Sequence, residues 1–176
     1  MRAFFISLLT LFAACASAIA ACENVPIEVQ EYLRSEPDWS FVDVKDLVAD
    51  DRSLWKRAHD GHCPGIAIVD LDGMGQSYAL ALLRASGRQT IEKLVVVRRQ
   101  SGRLTGQVLD PPMRVKHEDA AAPFVVWRAG PDTYRDLMSG RQVTLAHDGI
   151  VYQKMEAMAT MYYFSNGGFG SISTSE

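Results

Sequence analysis

Cys63-Pro64-Gly65-Ile66-Ala67-Ile68-Val69-Asp70-Leu71-Asp72-Gly73-Met74-Gly75-Gln76-Ser77-Tyr78-Ala79-Leu80-Ala81-Leu82-Leu83 is the stretch that leaves this chain the least freedom. Ile66 to Val69 is an unbroken apolar run opened by Pro-Gly. Tyr78 to Leu83 sets Tyr78, Leu80 and Leu82 on one face and Ala79, Ala81 and Leu83 on the other. Both patterns read as strands, and the acidic, glycine-bearing segment between them reads as a tight loop.

Met1-Arg2, the apolar block Ala3 to Ala16 and the small residues Ala18 and Ala20 have the layout of a secretory signal peptide over residues 1–20. Ser7 and Thr10 interrupt the block, which falls short of the roughly 20 apolar residues that a bilayer crossing needs. The expected mature chain, residues 21–176, is one periplasmic or secreted domain of about 155 residues, long enough to bury a core without metals or many disulfides.

Two processing sites compete. Ala18-Ile19-Ala20 suits ordinary cleavage before Ala21, whereas Ile19-Ala20-Ala21-Cys22 resembles the lipobox of bacterial lipoproteins, in which Cys22 carries a lipid anchor at the outer membrane. Cys15 is lost either way, leaving Cys22 and Cys63. An even pair in an oxidising compartment favours a disulfide over the lipid. That bridge closes a loop of about 40 residues and is worth roughly 4 kcal/mol on chain-entropy grounds.

Charge is unevenly spread. Glu23 to Asp72 holds 12 acidic and 5 basic residues, whereas Arg84 to Lys116 holds 8 basic residues against Glu92 and Asp110. A basic strip of this kind either protects a sheet edge or meets an acidic protein or lipid partner. Nucleic acid is not an expected partner, because the net charge is −3 and no recognised binding module is present.

Ile27, Val29, Tyr32 and Leu33, spaced among polar residues after Pro26, predict an amphipathic helix over 26–35 with Pro26 in its first turn. Trp39 to Val44 alternates as a strand. Asp50 to Arg57 opens acidic and closes basic, as a short helix should. Leu94-Val95-Val96-Val97 is a second apolar strand, Arg98 to Arg103 a hairpin turn, and Thr105 to Leu109 the return, stopped by Asp110-Pro111-Pro112. Lys116 to Pro123 is a polar connection. Phe124 to Trp127 is extended, and Gly130-Pro131-Asp132 and Ser139-Gly140 mark a loop region. Hairpins close the chain. Thr144 to Ala146 and Ile150 to Tyr152 flank His147-Asp148-Gly149, and Thr160 to Phe164 and Phe169 to Ser173 flank Asn166-Gly167-Gly168.

Asp70-Leu-Asp-Gly-Met-Gly-Gln-Ser-Tyr-Ala-Leu, preceded by Cys63-Pro-Gly, resembles the loop D-x-D-G-D-G-x-x-D-Y-A-L of bacterial exported proteins with a single FG-GAP- or VCBS-like element. The run from Asp148-Gly149-Ile150 to Gly168-Phe169-Gly170-Ser171-Ile172 looks like the tail of the same group. The resemblance implies a fold more than an activity. In the family loop four carboxylates hold calcium, which takes six to eight oxygen ligands. Here Asp70 and Asp72 match, Met74 stands where a third acid belongs, and Gln76-Ser77 stands where the loop would end in aspartate. A degenerate calcium-type loop without bound calcium, its two aspartates bonded to loop amides, is the expectation.

Other groupings are weaker. His59, His62 and Cys63 are zinc-ligand types, but a disulfide would remove Cys63. His147-Asp148 pairs a base with an acid, yet no G-x-S-x-G nucleophile motif accompanies it and the Asp-Gly turn explains it. Ser165 to Ser171 is glycine-rich but lacks the lysine and helix of a phosphate loop. Tyr152, Tyr162, Tyr163, Phe164 and Phe169 form either a recognition face or ordinary cross-strand packing.

The expected fold is α+β: short N-terminal helices on a twisted antiparallel sheet of hairpins, tied by Cys22–Cys63. The expected function is that of a non-catalytic periplasmic binder, such as an inhibitor or immunity-type protein, using no cofactor. It would meet an acidic envelope protein through Arg98, Arg99, Arg103, Tyr162 and Tyr163. An exported hydrolase using His147 and Asp148 and a calcium-stabilised structural module are the alternatives.

Overall fold

The computed structural model describes residues 22–87, 89–116, 124–155, 157 and 159–174. The signal-peptide reading of residues 1–20 and the connection over 117–123 lie outside the described residues. The architecture is mostly antiparallel sheet with two short helices, as an α+β fold requires. The strands do not form one sheet, however. They divide into sheets of five, four and two.

Helix α1 spans Ile27–Ser35, with Glu28 in its first turn and Arg34 in its last, the order that suits the helix dipole. Pro26 stands one position outside the helix as its N-cap, in extended conformation. Val29 is fully buried, and with Tyr32 and Leu33 it packs on the outer face of the five-stranded sheet. The strand expected over Trp39 to Val44 shrinks to β1, Ser40–Phe41, followed by a 3-10 turn at Val44–Asp46. Its alternation survives: Trp39 and Phe41 pack on the outer face, Val42 and Val44 on the inner. Helix α2 spans Ala49–Ala58 and buries Trp55.

Strand β2 (Ile66–Val69) pairs with β3 (Ser77–Ser86) from Ile66–Leu80 to Val69–Ser77, while β1 takes Leu82 and Leu83 on the same edge of β3. The two short strands share one edge, so neither extends further. Gly65 marks where they meet: a Cβ there would lie 2.3 Å from the Val42 carbonyl oxygen. Cys22 and Cys63 form a disulfide with Cα atoms 4.9 Å apart, tying the segment before α1 to the start of β2.

Strand β4 (Gln89–Gln100) pairs along the whole of β3 and along β5 (Arg103–Lys116). The turn between them narrows to Ser101 and Gly102, both at positive φ, 50° and 78°, so Arg98 and Arg99 belong to the strand. Asp110-Pro111-Pro112 does not stop β5. Pairing slips between Glu92 and Leu94, so Pro111 and Pro112 fall in an irregular step of the ladder and β5 continues to Lys116. β5 is an edge strand, where proline's missing N–H is tolerated.

The second sheet has the order β11-β10-β9-β6, from β6 (Phe124–Ala129), β9 (Gly149–Lys154), β10 (Ala159–Ser165) and β11 (Gly168–Thr174). Asn166-Gly167 turns β10 into β11 as expected, with φ of 51° and 79°. The other expected hairpin is not formed. β8 (Gln142–Thr144) pairs with β7 (Thr133–Arg135), a small hairpin inside the presumed loop region, and not with β9 across His147-Asp148-Gly149.

Ala67, Val69, Ala79, Ala81, Leu94 and Val96 of the first sheet meet Val126, Ile150 and Tyr152 of the second, with Trp55 and Leu47 closing the layer. The opposite face of β9 to β11 packs under the β7–β8 hairpin through Leu145, Val151 and Met161. Cover on both sides accounts for the wholly apolar run Leu94 to Val97, whereas β2 is covered on one side only and leaves Ile68 exposed.

Candidate functional site

The glycine loop between β2 and β3 holds itself together. Asp70 Oδ1 accepts the Gly73 N–H at 2.8 Å and Asp72 Oδ1 accepts the Met74 N–H at 3.1 Å. These are local Asx turns, as expected of the two aspartates. Gly73 sits at φ 75°, and its open side faces the His147 ring. Asp72 Oδ2 also pairs with Arg98 at 3.4 Å. Among the described residues no three His, Cys, Asp or Glu side chains are grouped so as to hold a metal ion.

His147 and Asp148 lie beside that loop, not in an independent site. The Asp148 carboxylate accepts the Asp70 N–H at 2.8 Å and pairs with Arg128 Nε at 3.1 Å. No hydrogen bond joins it to His147 among the described residues. His147 borders a recess of about 420 Å³ with Leu71, Thr144, Tyr163 and Ser165.

Of the zinc-type residues, Cys63 is in the disulfide and His59 is sandwiched between Trp55 and Trp127, at centroid distances of 4.3 and 4.9 Å. The His62 carbonyl accepts the Trp55 indole N–H at 2.9 Å. These residues line a groove of about 600 Å³ with Val25, Ile68 and Arg128, where β2 and β6 run side by side.

The basic strip is only partly available to a partner. Arg98 pairs with Asp72 and lies over the Phe164 ring at 5.5 Å, and Arg99 pairs with Glu31 at 2.5 Å. Lys93, almost buried, reaches Glu36 at 3.4 Å and lies 4.0 Å from the Trp39 ring centroid. Arg103 and Arg114 on β5 are exposed, and neither makes an ion pair among the described residues. Val108 and Met113, also exposed, continue the same strand. The two acids of the stretch turn away from solvent: Glu92 is buried and Asp110 half-buried. Burial pushes the Asp110 carboxyl up from the usual range.

Tyr162 and Tyr163 do not share a face. Tyr162 packs against the inter-sheet core, where burial, and then the Asp110 charge, push its phenol up to about 12. Tyr163 faces the other way and closes over Gly170, where a Cβ would lie 2.6 Å from its Cζ.

A polar group that the sequence reading passed over lies between the sheets. Glu92 is 1% exposed, and among the described residues no hydrogen bond of ordinary geometry reaches its carboxyl oxygens or the buried Tyr152 hydroxyl. Burial raises the Glu92 pKa to about 8, opposed by the nearby Phe124 N–H and reinforced by Asp46. Burial, then Glu92 and Asp110, push the Tyr152 phenol up. The only sequence signal was one acid at the head of a wholly apolar strand.

No family model, no curated protein and no solved structure matches this chain.

Proposed function

We propose that the chain is a non-catalytic exported binding protein, of the inhibitor or immunity type, that blocks an acidic protein partner. The observation that supports this is the β5 edge, where, among the described residues, Arg103 and Arg114 stand exposed without an ion pair, as Val108 and Met113 stand exposed; the register puts Arg114 and Val108 on one face of the strand and Arg103 and Met113 on the other. Apolar contact area flanked by arginine is the composition that interfaces favour. Arg98, Arg99 and Tyr162 hold the shape of this surface from behind, through Asp72, Glu31 and the core. Tyr163 faces away from it and is not part of it. The strand–loop–strand at Ile66 to Leu83, whose sequence resembles the loop of FG-GAP- or VCBS-like proteins, serves in this reading as scaffold.

Hydrolysis through His147 and Asp148 has less support, because the Asp148 carboxylate is committed to Asp70 and Arg128. A lipid on Cys22 would need the sulfur that the disulfide uses. The test is capture from an envelope extract at low and high salt, with wild type and with Arg103→Glu/Arg114→Glu. A partner held by the wild type at low salt, released by salt and missed by the variant is expected. Equal capture by both proteins overturns the assignment of the surface, and no retained protein at either salt overturns the function.

A further inference from the structure

We propose, resting on that binding function, that the partner supplies an acidic extended segment that joins the five-stranded sheet as an added strand along the free edge of β5, at Leu104, Gly106 and Val108. The phase of the ladder carries the argument. Ser101-Gly102 is a two-residue turn, so Gln100 and Arg103 form the first hydrogen-bonded pair, followed by Arg98–Thr105 and Val96–Gln107. The peptide groups of Leu104, Gly106 and Val108 therefore point away from β4. No hydrogen bond engages them among the described residues.

Other edges are partly occupied. The Val126 N–H on the outer side of β6 donates to the Pro64 carbonyl at 2.8 Å. On β11, the Ser173 carbonyl accepts the Leu137 N–H at 2.9 Å, and the Ser173 N–H donates to Asp136 Oδ1 at 3.2 Å. On β5 the proline pair 111–112, which has no N–H to offer, limits addition to the segment before Asp110. A strand docked there lies between Arg103 and Arg114, and Val108, 49% exposed, offers an apolar contact on the side shared with Tyr32 and Leu104. Charge selects the occupant. Glu92 is buried and Asp110 half-buried, while Arg103 and Arg114 stand exposed without an ion pair among the described residues, so an acidic segment is attracted, and a second copy of β5 would bring like charges together. Main-chain bonds supply affinity and alternate side chains supply specificity, as in other strand additions.

The experiment uses the full mature, oxidised protein and a synthetic seven-residue peptide alternating Glu and Val, with a Lys/Val peptide as control, followed by amide NMR. With the acidic peptide, the largest shifts and the greatest slowing of exchange are expected at the Leu104, Gly106 and Val108 amides, and none with the basic one. Val108→Pro removes an outward N–H without removing a β4–β5 bond, so at least tenfold weaker binding at an unchanged unfolding midpoint is expected. Leu104→Pro replaces it should Val108→Pro not fold. Wild-type affinity in the folded proline variant, with binding lost in Arg103→Ala/Arg114→Ala, overturns strand addition and leaves the binding surface standing. Shifts confined to other elements, or absent, also overturn it. Protection of the same amides that grows with protein concentration, without peptide, gives the edge to a second copy and overturns the acidic occupant.

Discussion

Asp70 and Asp148, 78 residues apart, exchange two hydrogen bonds. The Asp148 N–H donates to the Asp70 carbonyl at 2.9 Å, and the Asp70 N–H donates to the Asp148 carboxylate at 2.8 Å. The two turns that most resemble functional motifs, the aspartate-glycine loop and the late His-Asp-Gly, thus hold each other. The pair clamps the end of β2 to the start of β9, one strand from each large sheet, and Arg128 secures it from β6.

Replacing Asp148 by alanine is expected to destabilise the fold by about 1–3 kcal/mol, because the part-buried Asp70 N–H loses a charged acceptor. The Arg128 share is smaller, since that side chain is 59% exposed and water screens the pair. Urea unfolding of Asp148→Ala against Arg128→Ala separates the two. Equal losses in both would mean that the ion pair, not the backbone bond, is the clamp.

Gly73→Ala carries two penalties. The left-handed backbone at φ 75° costs a non-glycine residue about 1–2 kcal/mol, and the new Cβ would lie 2.8 Å from His147 Cε1. Adding His147→Ala should recover the contact share and leave the backbone share. A double-mutant cycle without coupling would show that His147 does not press on the loop.

Glu92 makes stability depend on pH. Its carboxyl is raised from 4.5 to about 8 in the folded protein, so the fold keeps a proton that the unfolded chain releases. The stabilisation is full below about pH 4.5, falls by about 1.4 kcal/mol per pH unit above that, and is lost as pH passes 8. Glu92→Gln should remove this slope and be more stable than the wild type at pH 8. Parallel profiles of thermal midpoint between pH 5 and 8 would contradict the assignment.

Reduction of Cys22–Cys63, or Cys22→Ser/Cys63→Ser, should cost roughly 4 kcal/mol for a sequence separation of 41. It should also free the strap that borders the groove beside Trp127. Calorimetry with and without reductant measures the loss. Intact mass of membrane-derived protein reads lipid and thiol state together, and a lipidated Cys22 would displace the bridge.

Calcium is expected to leave the thermal midpoint where chelator leaves it, because Asp70 and Asp72 already accept the Gly73 and Met74 amides. A ligand that binds only the folded form must raise the midpoint by mass action. A calcium-dependent rise lost in Asp72→Asn would restore the structural-module reading.

The elements legible in the chain were those with short-range causes. Alternation placed Tyr78, Leu80 and Leu82 opposite Ala79 and Ala81, Asn166-Gly167 set one hairpin, and compartment logic paired Cys22 with Cys63. The arginines show where that reasoning ended. Their composition marked a basic strip, but the pairing of Arg98 with Asp72 and Arg99 with Glu31 spans 26 and 68 residues.

Period and turn chemistry act over a few residues, so the chain alone was enough to specify most strands and two of the turns. Which edges meet is settled by competition for hydrogen-bonding partners and apolar cover across the whole molecule. That competition sent β8 to β7, carried β5 past its prolines, joined Asp148 to Asp70 and enclosed Glu92 between two sheets. No local window contains both partners of any of these contacts except β7–β8, and even there the alternative strand, β9, was nearer in sequence.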